Sequence, residues 1–197
     1  MQAKDKFLEK TNLVILFISL CFSYAVSAEN IYEKINMYND KLKNSSVNFI
    51  QTNINEIQEG VIFFGDERIK IIYTKPQNIT IILSEKKGIY TNHKLQESQF
   101  FGTKNSYISF FFNIFHNKKY LENTAVKELS DKIEISDKIN LDNVVYDIKL
   151  VYENNPIQLR LLEIINNNEK TQMGFFNQSS EQKFGEKFFS MIDPYIN

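Results

Sequence analysis

Residues 60–92 read GVIFFGDERIKIIYTKPQNITIILSEKKGIYTN, and this stretch decides the fold. Four short runs rich in β-branched and aromatic side chains, 60–64, 69–73, 79–83 and 88–92, are parted by Gly65-Asp66-Glu67, Lys75-Pro76-Gln77-Asn78 and Ser84-Glu85-Lys86-Lys87. Those separators form turns or carry charge, as strand connections do. Connections this short join antiparallel neighbours, because a parallel crossover takes about a dozen residues or more. The stretch is therefore predicted to be a β-meander.

Working outward, Val47, Phe49 and Gln51 alternate with Asn48 and Ile50 in a further strand pattern. Before them Ile31, Ile35, Tyr38 and Leu42 recur at helical spacing between polar residues, which predicts a short amphipathic helix. Strand-like runs return at 144–152, 158–165 and 171–176, divided by Glu153-Asn154-Asn155-Pro156 and Asn166-Asn167-Asn168-Glu169. The fold class is α+β, mainly β: one curved antiparallel sheet of eight or more strands.

Between the two strand sets, residues 107–115 are apolar or aromatic except for Ser109 and Asn113, and Ser106 can cap a helix there. A helix apolar on nearly all sides must be covered on nearly all sides. It is expected to plug the open side of the sheet, either as ordinary core or as a movable lid over an apolar cavity.

The chain has 197 residues with 23 basic and 24 acidic side chains, so it has no charge excess with which to hold a nucleic acid. A hydrophobic share of 43% excludes a disordered chain. Lys4, Lys6 and Lys10 precede an apolar run from Leu13 to Phe22, and Val26 and Ala28 place small side chains ahead of a cut before Glu29. Residues 1–28 thus read as a cleaved secretory signal, the apolar run being shorter than the ~20 residues of a spanning helix. Residues 29–197 then read as a single domain. Cleavage takes the formal charge from −1 to −2 and removes Cys21, the only cysteine.

Chemistry is sparse in what remains. His93 and His116 stand outside any metal-ligand spacing, no Gly-x-Ser-x-Gly elbow occurs, and the glycines are scattered singly. Asp66-Glu67 and Asp131 with Glu134 read as turn and surface charges. No catalytic set, metal or cofactor is assigned, and binding outranks catalysis.

Phe49-x-Gln51, then Gln58-Glu59-Gly60 opening a strand, then Arg68 to Pro76 with its Tyr73-x-x-Pro76 ending, resemble the N-terminal signature of the periplasmic outer-membrane lipoprotein carrier family (LolA-like). The stretch 81–90, the Pro156-Ile157-Gln158-Leu159 run, 171–177 and the closing 188–194 follow that family's order. Two features depart from it: Gly65-Asp66-Glu67 replaces the usual Arg-Pro approach, and Ile71 stands where an aromatic residue is customary.

The resemblance implies an incomplete, half-closed β-barrel with short helices as a lid over a hydrophobic cavity. It implies a non-enzymatic periplasmic monomer of a Gram-negative bacterium. Such a protein takes acylated lipoproteins from an inner-membrane lipoprotein-releasing ABC transporter and delivers them to the outer membrane, to an outer-membrane lipoprotein receptor where one exists. An acyl chain of ~16 carbons in water costs roughly 13 kcal/mol, which calls for such a shelter. The implied lipid-binding residues are Phe49, Ile69, Ile71, Tyr73, Ile81 and Leu83 on the sheet and Phe110, Phe111, Phe112 and Phe115 on the cover. Arg68, or alternatively Lys70, takes the place of the arginine that latches the lid. Two other readings stay open: an outer-membrane-anchored receptor held by acylated Cys21, and a periplasmic interaction domain without a ligand.

Overall fold

Side chains of a strand point alternately to opposite faces, and that alternation sorts this chain into an inner and an outer surface. The computed structural model describes residues 30–196 apart from 105, 142 and 168. The predicted signal at 1–28 and Cys21 lie outside the described residues. From Ile31 onward the described residues form one compact unit.

The chain opens with α1 (Ile31–Leu42) and runs through β1 (Ser45–Thr52), β2 (Ile57–Phe64), β3 (Ile69–Lys75), β4 (Ile79–Leu83), β5 (Lys87–Asn92) and β6 (Glu97–Gly102). Helix α2 (Tyr107–His116) and a 3₁₀ turn at Leu121–Asn123 follow, and then β7 (Ala125–Glu128), β8 (Lys132–Leu141), β9 (Val144–Asn154), β10 (Ile157–Asn166) and β11 (Glu169–Ser179). All eleven strands belong to one sheet in the order β6-β5-β4-β3-β2-β1-β11-β10-β9-β8-β7. Two antiparallel meanders are stitched where β1 pairs with β11, Phe49 opposite Phe175. The curved sheet is not closed, and α2 is part of the chain that passes from edge strand β6 to edge strand β7.

The inner faces of both meanders share one core. Phe49, Ile62, Ile69 and Ile71 from the first half join Ile135, Leu150, Tyr152 and Leu162 from the second, and Phe110, Phe111, Phe112 and Phe115 of α2 complete the cluster. Burying each of those phenylalanines contributes roughly 1.5–3 kcal/mol, which outweighs any intrinsic helix preference of a Phe-rich segment. Ser106 caps α2 as the sequence predicts, accepting from the Ser109 amide at 3.3 Å. Among the described residues, no helix is long and apolar enough to cross a membrane.

The carrier-like motif has a packing explanation. Phe49 and Gly60 are register partners, and a Cβ at position 60 would stand 2.2 Å from the Ile72 carbonyl oxygen and 2.6 Å from the Phe49 ring. Only glycine lets that ring lie against the backbone, where it meets Tyr73 edge-on at 5.1 Å. Gly88 and Phe101 repeat the arrangement two hairpins away, with 2.4 Å between the ring and a would-be Cβ.

Candidate functional site

Under α2 the inner face does not close completely. A cavity of about 410 Å³ lies between the helix and the sheet. Its first wall is Ile62 of β2, Ile71 and Tyr73 of β3, and Ile81 and Leu83 of β4. The second wall is Tyr146 of β9, Leu162 and Ile164 of β10, and Met173 of β11. Ile108 and Phe111 of α2 form the roof. Size and lining fall within the usual range for small-molecule pockets, about 300–1,000 Å³ and mostly apolar.

The lining is graded. Ile62, Ile71, Leu83, Phe111, Leu162 and Met173 are buried, whereas Gln51, Tyr73, Asn166 and Thr171 are half-buried and Glu169 is exposed. The polar end carries a side-chain relay: the Tyr73 hydroxyl donates to Gln51 Oε1 at 3.0 Å, Gln51 Nε2 to Gln58 Oε1 at 2.9 Å, and Gln58 Nε2 to Glu56 Oε2 at 3.0 Å. Glu169 is the only charged side chain among the described residues that line the cavity.

Of the residues singled out from the sequence, Ile71, Tyr73, Ile81, Leu83 and Phe111 line this cavity. Phe49, Ile69 and Phe110 are buried in the core behind it. Phe112 stacks on His116 at 4.3 Å, and Phe115 packs between Phe64 and Phe111, each 4.9 Å away. The sequence reading missed the apolar lining residues Ile62, Ile108, Tyr146, Leu162, Ile164 and Met173. Their signal was present, since Leu162 and Ile164 stand two apart on one face of a predicted strand.

The cover is not held where the resemblance placed its latch. Arg68 Nη1 donates to the Phe189 carbonyl at 2.7 Å, and Lys70 Nζ donates to the Phe188 carbonyl at 3.0 Å while lying 4.1 Å above the Phe188 ring centroid. Both cations therefore grip the C-terminal segment, not α2. The reason is alternation: Ile69 and Ile71 face inward, so position 70 faces outward beside its register partner Phe63. Phe63 in turn meets Phe188 and Phe184 edge-on at 5.0 and 6.0 Å. Burial under this segment pulls the Lys70 ammonium below the usual lysine range.

Helix α2 is fastened by other groups. Asn39 of α1, itself buried, donates through Nδ2 to the Ile114 carbonyl at 2.8 Å and accepts through Oδ1 from the Tyr152 hydroxyl at 3.2 Å. Ile114 lies in the last turn of the helix, where carbonyls have no partner within the helix. His116 brings one ring nitrogen 3.2 Å from the Gly65 carbonyl and the other 3.2 Å from the Phe112 carbonyl. Burial lowers its pKa, outweighing the two carbonyls that favour the protonated ring. Just beyond the helix, Lys118 pairs with Asp40, holding that carboxyl below the usual carboxylate range.

A larger opening of about 910 Å³ lies at the end of α2, between the β2–β3 and β4–β5 turns. Its walls include Asp66, Glu67 and Glu85 as well as Lys86, Lys87 and Lys118. This is an open polar groove, unsuited to an apolar ligand despite its size. Among the described residues, no group of three or more His, Cys, Asp or Glu side chains is placed to hold a metal ion.

No family model matches the chain, and no curated protein matches it in sequence. Solved structures do match in fold. An uncharacterized conserved protein from Thermus thermophilus aligns over 82% of this chain and 91% of its own, with 6% identity and a TM-score of 0.53. The MucA/MucB complex of Pseudomonas aeruginosa aligns more loosely, over 81% of this chain and 59% of that one, with 7% identity and a TM-score of 0.47. LprF from Mycobacterium bovis aligns over 79% and 95% of the two chains, with 9% identity and a TM-score of 0.37. The likeness to the Thermus protein is one of fold.

Proposed function

We propose that this protein is a periplasmic carrier that shelters the acyl chains of lipoproteins released from the inner membrane and delivers them to the outer membrane. The observation that carries the reading is the cavity of about 410 Å³ on the inner face of an open sheet, roofed by a helix. A fully packed core would leave few voids larger than a water molecule. An exposed inner face without a cover would be a sticky patch, and the α2 phenylalanines remove it. The role is one of binding, with no covalent step assigned. Its donor would be a lipoprotein-releasing transporter of the inner membrane, and its acceptor an outer-membrane receptor or the membrane itself.

The test is native mass spectrometry of the protein isolated from an envelope fraction, paired with a transfer assay using a solubilised acylated lipoprotein. Bound acyl species and protection of the lipoprotein from aggregation are expected. No bound lipid together with no protection would sink the proposal.

A further inference from the structure

We infer that the cavity beneath α2 takes one acyl chain at a time, borne by an amphiphile whose head is neutral or cationic. This deepens the carrier reading and rests on it. The first ground is volume. If a methylene occupies about what a water molecule does in the liquid, ~30 Å³, then 410 Å³ holds on the order of a dozen methylenes. That is most of one chain of ~16 carbons and far from three. Further chains on the same cargo stay outside unless α2 moves.

The second ground is polarity. The chain end of the ligand meets buried Ile71, Leu83, Phe111, Leu162 and Met173, and the head meets Gln51, Asn166, Thr171 and Glu169 at the solvent end. Amide and hydroxyl groups suit an ester, an amide or an amine. The third ground is charge. Glu169 is the only charged group on the lining, and no cation among the described residues lines it to receive a carboxylate or phosphate. The neighbouring Lys170 is committed to Glu163 at 2.7 Å, and Arg68 and Lys70 are committed to the C-terminal segment. An anionic head would meet Glu169 as a like charge.

Calorimetric titration below micellar concentrations separates the alternatives, with hexadecylamine, monopalmitoylglycerol, palmitate, dipalmitoylglycerol and a triacylated lipopeptide as probes. One-to-one binding of the single-chain probes is expected. Hexadecylamine should bind about fivefold more tightly than palmitate, as one exposed charge contact allows. Glu169→Gln should bring the two together. Dipalmitoylglycerol should bind at least about tenfold more weakly than monopalmitoylglycerol. Filling the cavity by Ile164→Trp, or by Ile81→Trp should the first variant not fold, should abolish binding of every single-chain probe. Palmitate binding as tightly as hexadecylamine, or the two-chain glyceride as tightly as the one-chain form, overturns the inference. If the lipopeptide is nonetheless bound, the carrier reading survives that result. If no probe binds, the lipopeptide included, both fall.

Discussion

Replacing Asn39 with alanine should loosen α2 selectively. The side chain spans two elements: it caps the Ile114 carbonyl at 2.8 Å and receives the Tyr152 hydroxyl at 3.2 Å. Its residue is 4% exposed and Tyr152 is 0% exposed, so neither abandoned partner gains water easily. Burial drives the Tyr152 hydroxyl well above the ordinary tyrosine range, and it stays a donor at any physiological pH. A buried polar group left without a partner costs about 1–3 kcal/mol. Two such groups give a loss on the order of 2–6 kcal/mol, a large part of a typical domain's roughly 5–15. Equilibrium urea unfolding measures the loss, and amide hydrogen exchange locates it. Amides of residues 107–116 should exchange faster by a larger factor than those of β1 and β2. Because Asn39 and Tyr152 share one bond, Tyr152→Phe added to Asn39→Ala should cost less than the sum of the single changes. A loss below ~0.5 kcal/mol, or exchange that rises evenly across the molecule, would refute the assignment of Asn39 as the fastening of α2.

Three further outcomes follow from the same geometry. Gly60→Ala forces a Cβ to 2.2 Å from the Ile72 carbonyl oxygen and into the Phe49 ring, so thermal unfolding should show a loss of about 3 kcal/mol, the upper range for overpacking. Arg68→Leu removes the bond to Phe189 and should speed limited proteolysis around residues 184–190 while leaving α2 exchange unchanged; faster α2 exchange would restore Arg68 as a lid latch. Because burial depresses the His116 pKa in the folded state, the unfolded chain takes up the proton first, and stability should fall as pH drops below about 6.5 and on through the folded value. Urea midpoints measured across that range should decline less in His116→Gln.

The sheet was largely legible in the sequence because most strands are bounded by polar turns and alternate across the pleat. β3 shows it plainly, with Ile69 and Ile71 inward and Lys70 outward. Strands β6, β7 and β8 were not predicted. β6 is short and mostly exposed, and β7 has four residues, so neither carries a strong apolar period. β8 did carry one, Ile133 and Ile135 being fully buried, but its Glu134 was read together with Asp131 as turn and surface charge. The cover was legible from its lack of any polar face. Which of its phenylalanines roof the cavity was not, because that depends on how α2 is rotated, and Asn39 and His116 at its far end set the rotation. The latch was misplaced for a related reason: strand alternation puts positions 68 and 70 outside, and only the fold reveals the C-terminal segment that waits there.

The central claim, that an acyl chain occupies the space beneath α2, is tested most directly by photo-crosslinking. A palmitoyl chain with a diazirine near its terminal methyl is bound to the wild-type protein, irradiated and mapped by peptide mass spectrometry. The account predicts label on Ile71, Leu83, Phe111 and Leu162, drawn from both meanders and the helix at once. Label confined to the outer face at Phe63 and Phe184, or to exposed Ile54 and Ile57, would contradict it.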